Sequence, residues 1–173
     1  MIEISPCQYL LKKLLGTGSV GVEIGIWDGG NALVAIEYLR PKKYYMVDPY
    51  VEYGDNNFTQ PLYEEMYQLA VARFASFNNV SLMRVSSFEA SKIVEDNLDF
   101  VYVDGAHDYD NKFLDLDSWF TKLRSGGILC GDDFNIESTK AAVIDFRKKY
   151  GLSLWISQDS SPHPTEYFFI GGS

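Results

Sequence analysis

The sequence predicts an α/β fold: a doubly wound, Rossmann-like, mostly parallel sheet of seven strands, with helices on both faces and a final antiparallel hairpin at one edge. Three observations predict it. Apolar strand-like runs alternate with helical patterns almost from end to end, so consecutive strands are joined by crossovers that pair them in parallel with right-handed connections. Several of these runs break abruptly into small or acidic residues, as in Glu23-Ile24-Gly25, Val47-Asp48, Val103-Asp104-Gly105 and Gly131-Asp132-Asp133. The last two runs, 152–157 and 166–171, are too closely connected for a crossover, which makes them a hairpin.

Each element has its own local reason. Ser5 as N-cap and Pro6 at the first helical position open a leading helix over 6–15, stopped at Gly16 and Gly18. Residues 20–26 form a buried strand, and 31–40 a helix closed by Pro41. A second strand over 43–47 ends in Asp48-Pro49. Residues 50–61 are polar and aromatic and contain Gly54-Asp55-Asn56-Asn57, a loop before a helix over 62–77. A third strand covers 80–85. Ser86 and Glu89 then make a capping box that opens a short helix ending near 94. Strands over 99–103 and 128–131 flank a helix over 112–123, whose end is marked by Arg124-Ser125-Gly126-Gly127. A helix over 137–150, stopped at Gly151, precedes the hairpin.

Composition narrows the function classes. A chain of 173 residues, 46% hydrophobic, suits one domain, 1–173, able to bury roughly 70% of its unfolded surface. Its formal net charge of -9 argues against a surface that neutralises nucleic acid or anionic lipid, so the expected partner is a small molecule. Cys7 and Cys130 are far apart, and Cys130 lies inside an apolar run, which favours buried thiols in a reducing compartment over a disulfide. No apolar run approaches membrane-spanning length, and Met1-Ile2-Glu3-Ile4 is no targeting signal. A cytoplasmic protein without membrane or nucleic-acid partners is expected.

In an open parallel sheet, ligands lie beyond the carboxyl ends of the strands. The first end, Glu23-Ile24-Gly25-Ile26-Trp27-Asp28-Gly29-Gly30-Asn31, has glycines that let the backbone turn tightly or approach a ligand at the following helix. Asp48 follows Gly25 at the distance where an acidic side chain accepts ribose hydroxyls, and a solvated loop aspartate is the plainer alternative. Trp27 stands where a second glycine would admit a pyrophosphate, so a cofactor without phosphates fits better. Asp104, Asp132 and Asp133 gather carboxylates that repel one another unless protons or a cation intervene, which points to a divalent ion held by oxygen ligands. Taken singly, each could instead cap a helix or form a turn.

The spacing Glu23-x-Gly25-x-x-x-Gly29, the acidic end at Asp48 and the Asp132-Asp133 pair together resemble class I S-adenosylmethionine-dependent methyltransferases. Within that group, Asp104-Gly105-Ala106-His107, Leu123-Arg124-Ser125-Gly126-Gly127 and Gly131-Asp132-Asp133-Phe134 are similar to metal-dependent O-methyltransferases of the macrocin type, and more distantly to catechol O-methyltransferase. The resemblance spans about 20–134. It implies that Glu23, Gly25, Trp27, Gly29, Asn31, Asp48 and Asp104 border S-adenosylmethionine, with Asp48 at its ribose and Ser87 and Phe88 at its adenine. It also implies that Asp104, Asp132 and Asp133 bind Mg²⁺ and that His107 is the base that takes a proton from the acceptor hydroxyl. A histidine packed beside the strand is the alternative for His107.

Two features stay open on sequence alone. His163, in the final loop, either touches substrate or decorates a turn. The aromatics Tyr50, Tyr53, Phe58 and Tyr63 either form a lid over 50–61 or a small core beneath a loop. With no inserted cap, acceptor recognition falls to that loop, the final hairpin or a second subunit of a homo-oligomer. The expected activity is Mg-assisted O-methylation of a small-molecule hydroxyl on a sugar, polyketide or phenol. The alternatives are a Mg-dependent hydrolase of a phosphate ester, for which no phosphate cradle is evident, and a non-catalytic cofactor-binding subunit of the same fold.

Overall fold

The computed structural model describes residues 4–53, 58–157 and 165–171. Among these residues, seven strands form one sheet: β1 (Val20–Ile24), β2 (Lys43–Val47), β3 (Val80–Met83), β4 (Leu98–Val103), β5 (Leu123–Gly131), β6 (Trp155–Ile156) and β7 (Tyr167–Ile170). Their order is β3-β2-β1-β4-β5-β7-β6. The first five run parallel, while β7 lies antiparallel between β5 and β6. The expected edge hairpin is therefore present, with its second strand inserted next to β5.

Among the described residues, six helices cover the sheet: α1 (Pro6–Leu15), α2 (Gly30–Leu39), α3 (Gln60–Phe74), α4 (Ser87–Ile93), α5 (Tyr109–Phe120) and α6 (Glu137–Tyr150). Side chains of a strand alternate between its faces, and the two cores follow that period. Tyr44, Met46, Phe100, Tyr102, Ile128 and Cys130 pack with α1, α2 and α3. Val22, Val47, Val101, Val103, Leu129 and Phe169 pack on the opposite face with α4, α5 and α6. Cys7 and Cys130 are free thiols, both buried. Among the described residues no helix is long and apolar enough to cross a membrane.

One boundary departs from expectation in a way that matters for the site. The helix expected over 112–123 starts three residues earlier, because Asp108 is its N-cap and accepts from Asn111 N at 3.0 Å. The glycine-containing stretch after it belongs to β5. Leu123 pairs with Leu98, and Arg124 reaches Asp99 at 2.7 Å, which draws this segment into the sheet.

The strand order reverses between β1 and β4, whose neighbours β2 and β5 carry the chain to opposite sides. The carboxyl ends of these four strands thus form one crevice, the place where such sheets bind ligands. His163 and residues 54–57 of the candidate lid lie outside the described residues.

Candidate active site

The ends of β1 and β2 form a wall whose polar groups are turned on one another. Gly25 has φ +85°, and a Cβ there would stand 2.1 Å from the Asp104 carbonyl oxygen, so this junction admits only glycine. Hydrogen bonds tie three strand ends together at this point: Gly25 N to Val47 O at 2.9 Å, and Asp104 N to Ile24 O at 2.8 Å. Glu23 is wholly buried. Its carboxylate accepts from Asn31 Nδ2 at 2.8 Å and from the Tyr44 hydroxyl at 2.5 Å. Burial pushes Glu23 up to about 7, and those two bonds oppose the rise. Both oxygens are thus engaged inside the protein, and Asn31 faces Glu23 as its partner.

Asp48 is also drawn inward. One of its oxygens accepts from the backbone N–H groups of Ile26 and Trp27 at 2.9 and 3.1 Å, and the other from Tyr50 N at 2.8 Å. A carboxylate has about four acceptor sites, so these bonds leave room for one more donor. Trp27 and Tyr50 hold left-handed backbone, with φ 54° and 50°, as does Asp133, with φ 66°, at the end of β5. Such conformations in non-glycine residues cost on the order of 1–3 kcal/mol each and concentrate at functional sites.

The described aromatics around the candidate lid pack as a small core beside Trp27. Tyr50 and Tyr63 are buried, and the Tyr50 hydroxyl donates to Trp27 O at 2.9 Å. Trp27 meets Phe58 and Tyr63 with ring centroids 5.0 and 5.6 Å apart. Tyr53, by contrast, stays partly exposed. Burial, then Tyr63 and the carboxylates of Asp48, Asp108 and Asp133, push its hydroxyl up to about 12. It therefore feels the charges of both halves of the crevice. Phe88 is exposed under Lys92, whose Nζ lies 3.8 Å from the ring centroid. The neighbouring Ser87 hydroxyl accepts from Trp119 Nε1 at 2.8 Å.

The ends of β4 and β5 are built differently. Ligand atoms of Asp104, His107 and Asp133 all lie within 4.8 Å of one another. His107 Nε2 stands 2.8 Å from Asp133 Oδ2. Burial pushes Asp133 up, but the bond and charge of His107, with help from Lys112, outweigh it and hold Asp133 below its usual range. Asp104 goes the other way. Burial, reinforced by repulsion from Asp133 and Asp132, raises it well above the usual carboxylate range, and Lys112 only partly offsets this.

Of the expected aspartate trio, Asp132 is not in this group; its Oδ1 accepts from Asp133 N at 2.7 Å. The third member of the group is His107.

Sequence reasoning missed several residues around this cluster. Lys112 and Asp115 are buried on α5, in line with Leu116 and Trp119. Burial raises Asp115 to about 6, against a Ser87 bond and the Lys112 charge. Charged residues at core-facing helical spacing were the signal that could have found them. Ser138, at the start of α6, donates to His107 O at 2.5 Å and steadies the loop that carries the imidazole. Tyr44, the partner of Glu23, left no such signal, since it sits among ordinary strand residues.

Known proteins agree with this architecture. A Streptococcus mutans protein assigned as a methyltransferase, solved in complex with SAH, shares 18% identity over 98% of this chain and 99% of its own, with a TM-score of 0.72. A SAM-dependent O-methyltransferase from Thermotoga maritima shares 12% over 100% of this chain and 68% of its own, with a TM-score of 0.69. The N-methyltransferase NodS from Bradyrhizobium japonicum shares 15% over 96% and 95%, with a TM-score of 0.65. No curated protein sequence matches the chain. At these identities the solved structures establish the fold, a Rossmann-like methyltransferase fold. The sequence model of the methyltransferase domain matches residues 22–134, which include every strand end of the crevice. The chain belongs to that methyltransferase-domain family and is a methyltransferase of the S-adenosylmethionine-dependent type.

Proposed function

We propose that this methyltransferase is an O-methyltransferase of the macrocin-like, metal-assisted kind, acting on a hydroxyl of a small molecule. The observation that carries the reading is the 2.8 Å contact of His107 with Asp133, in a group that Asp104 completes. An O-methyltransferase needs a base beside a site that can make a hydroxyl acidic, and this group supplies both.

The wall of β1 and β2 suits the methyl donor, S-adenosylmethionine, which is consumed as a second substrate. Gly25 brings backbone close to the crevice, Trp27 and Gly29 shape the turn after it, and Asp48 retains acceptor capacity for a ribose hydroxyl. Glu23 and Asn31 act behind that surface by fixing each other. Phe88 offers an exposed apolar ring for adenine, while Ser87 holds the start of α4 against Trp119.

The second half fits a divalent ion. Two carboxylates that repel each other and an imidazole converge closely enough to share one cation. The carboxylates suit Mg²⁺ or Mn²⁺, and the imidazole, tied through Nε2 to Asp133, is kept for the proton. When bound, such an ion would lower the pKa of an acceptor hydroxyl. The rest is done by the chain's own residues. Asp133 orients the imidazole through Nε2 and stabilises the positive charge that His107 gains on accepting the hydroxyl proton. Ser138 keeps the His107 backbone in place. The deprotonated oxygen then takes the methyl group from the sulfonium, and alignment of the two supplies much of the rate.

The test is methyl transfer from S-adenosylmethionine to a panel of sugars, phenols and polyketides, with Mg²⁺ and with chelator. Expected are methyl ethers formed only with the ion and lost in His107→Gln. Calorimetry that finds no donor binding at millimolar concentration would sink the donor site, and undiminished turnover in chelator would remove the metal.

A further inference from the structure

We propose that Lys112 is a positioning residue whose buried ammonium is the resident counter-cation of the acidic crevice, keeping it assembled before any divalent ion arrives and making it bind that ion weakly. The proposal rests on the reading of Asp104 and Asp133 as a cation site.

The Lys112 side chain is completely buried, on a helix whose other core-facing residues include Leu116 and Trp119. A lysine so placed would be expected to form a close ion pair. Among the described residues it forms none within 4.0 Å. Its one described hydrogen bond is long, from Nζ to Val103 O at 3.4 Å. An ammonium taken out of water with so little direct compensation is strongly disfavoured unless fields from more distant charges support it.

Those charges are present. Burial lowers the Lys112 pKa from its ordinary value, and Asp104, Asp133, Asp115 and Asp132, in that order, oppose the fall by favouring the charged ammonium. Val103 immediately precedes Asp104, so the bond to its carbonyl anchors the ammonium at the end of β4, on the α5 side of the sheet. Gly131, opposite Val103 on β5, leaves this junction tight: a Cβ there would lie 2.4 Å from Val103 O and 2.6 Å from the Tyr167 hydroxyl. The buried ammonium is held by its bond to Val103 O, and in a medium of low dielectric its charge acts on several carboxylates together without touching any one of them. A tethered +1 charge does part of what a divalent ion does. It lets the carboxylates stand close in the ion-free protein, and it repels the ion that comes to join them.

The experiment compares the wild type, Lys112→Met, Asp104→Asn and the double variant, by thermal unfolding in chelator and in millimolar Mn²⁺, and by calorimetric titration with Mn²⁺ at one fixed pH. The wild type should unfold at nearly the same temperature in both media. Lys112→Met should unfold lower in chelator, regain much of the loss in Mn²⁺, and bind Mn²⁺ at least about tenfold more tightly. Asp104→Asn should relieve the loss in chelator, so that the double variant folds even if Lys112→Met alone does not. A loss that is equal in both media and is not relieved by Asp104→Asn would overturn the proposal, because packing alone would then explain it. So would failure of the double variant to fold. If the wild type and Lys112→Met bind no Mn²⁺ at all, both the metal reading and the weak-binding half of the proposal fall, whereas the coupling of Lys112 to Asp104 in chelator still decides the counter-cation half.

Discussion

The two halves of the crevice use carboxylates in opposite ways. At the ends of β1 and β2, the oxygens of Glu23 and Asp48 accept from Asn31, Tyr44 and three backbone N–H groups. Their hydrogen-bonding capacity is committed to holding a shape, and a ligand there meets mainly backbone and aromatic surface. At the ends of β4 and β5, Asp104 and Asp133 face each other and His107, with a buried lysine nearby. Their charge is left available. The first half is therefore suited to recognise an unreactive outline, and the second to move a proton or hold a cation.

The most severe way to break the first half is Gly25→Ala. The new methyl would stand 2.1 Å from backbone, which no side-chain adjustment relieves, in a region of φ that costs alanine further. We expect a loss of about 4 kcal/mol or more in urea unfolding, together with loss of S-adenosylhomocysteine binding in calorimetry. Retained binding would mean that the strand ends are far more pliable than this packing implies.

The second half should break without disturbing the first. His107→Gln removes the proposed base but touches none of the wall, so kcat should fall about 10²- to 10⁴-fold while donor affinity stays within about twofold. A matching drop in donor affinity would show that the halves are not separable.

Glu23→Gln tests the idea that the first half uses Glu23 for its hydrogen bonds and not for its charge. Glu23 sits at about 7 in the folded protein against an ordinary 4.5, so the folded state holds the proton more tightly than the unfolded chain. The stability linked to this proton is full below about pH 4.5 and is lost as pH rises through 7. Glutamine has no proton to lose and can pair with Asn31 and a reoriented Tyr44 hydroxyl. The variant should gain on the order of 1–3 kcal/mol over the wild type at pH 8 and little at pH 5, read from urea unfolding at both. An equal effect at both pH values would mean that Glu23 is ionised throughout.

These particulars also show what the sequence could reveal. The alternation of strands and helices, the closing hairpin and the acidic strand ends were legible, since each is written in local composition and spacing. So was the gathering of Asp104, His107 and Asp133 in one crevice, which follows from the parallel pairing of their strands. What Asp48 and Glu23 do with their oxygens was not, because their partners lie on other strands or on backbone N–H groups that have no letter in the sequence. Lys112 and Asp115 did leave a signal, their spacing from Leu116 and Trp119 on one helix face, but the field of carboxylates around the lysine comes from other strands.

The smallest expected effect separates Asp132 from Asp133. Asp132 accepts from Asp133 N through Oδ1, a bond that an amide oxygen can replace, so Asp132→Asn should preserve the left-handed turn while deleting one charge. If that charge only adds to the general field, Mn²⁺ affinity and kcat should change less than about threefold, well under the tenfold that corresponds to 1.4 kcal/mol. Asp133→Asn, which removes a member of the close group, should cost much more in the same titration. Equal losses in the two variants would restore Asp132 as a ligand, which requires its side chain to swing from the turn toward Asp104 when the ion binds. The turn bond would then be something the loaded enzyme gives up, and the strain at Asp133 would find its use in that movement.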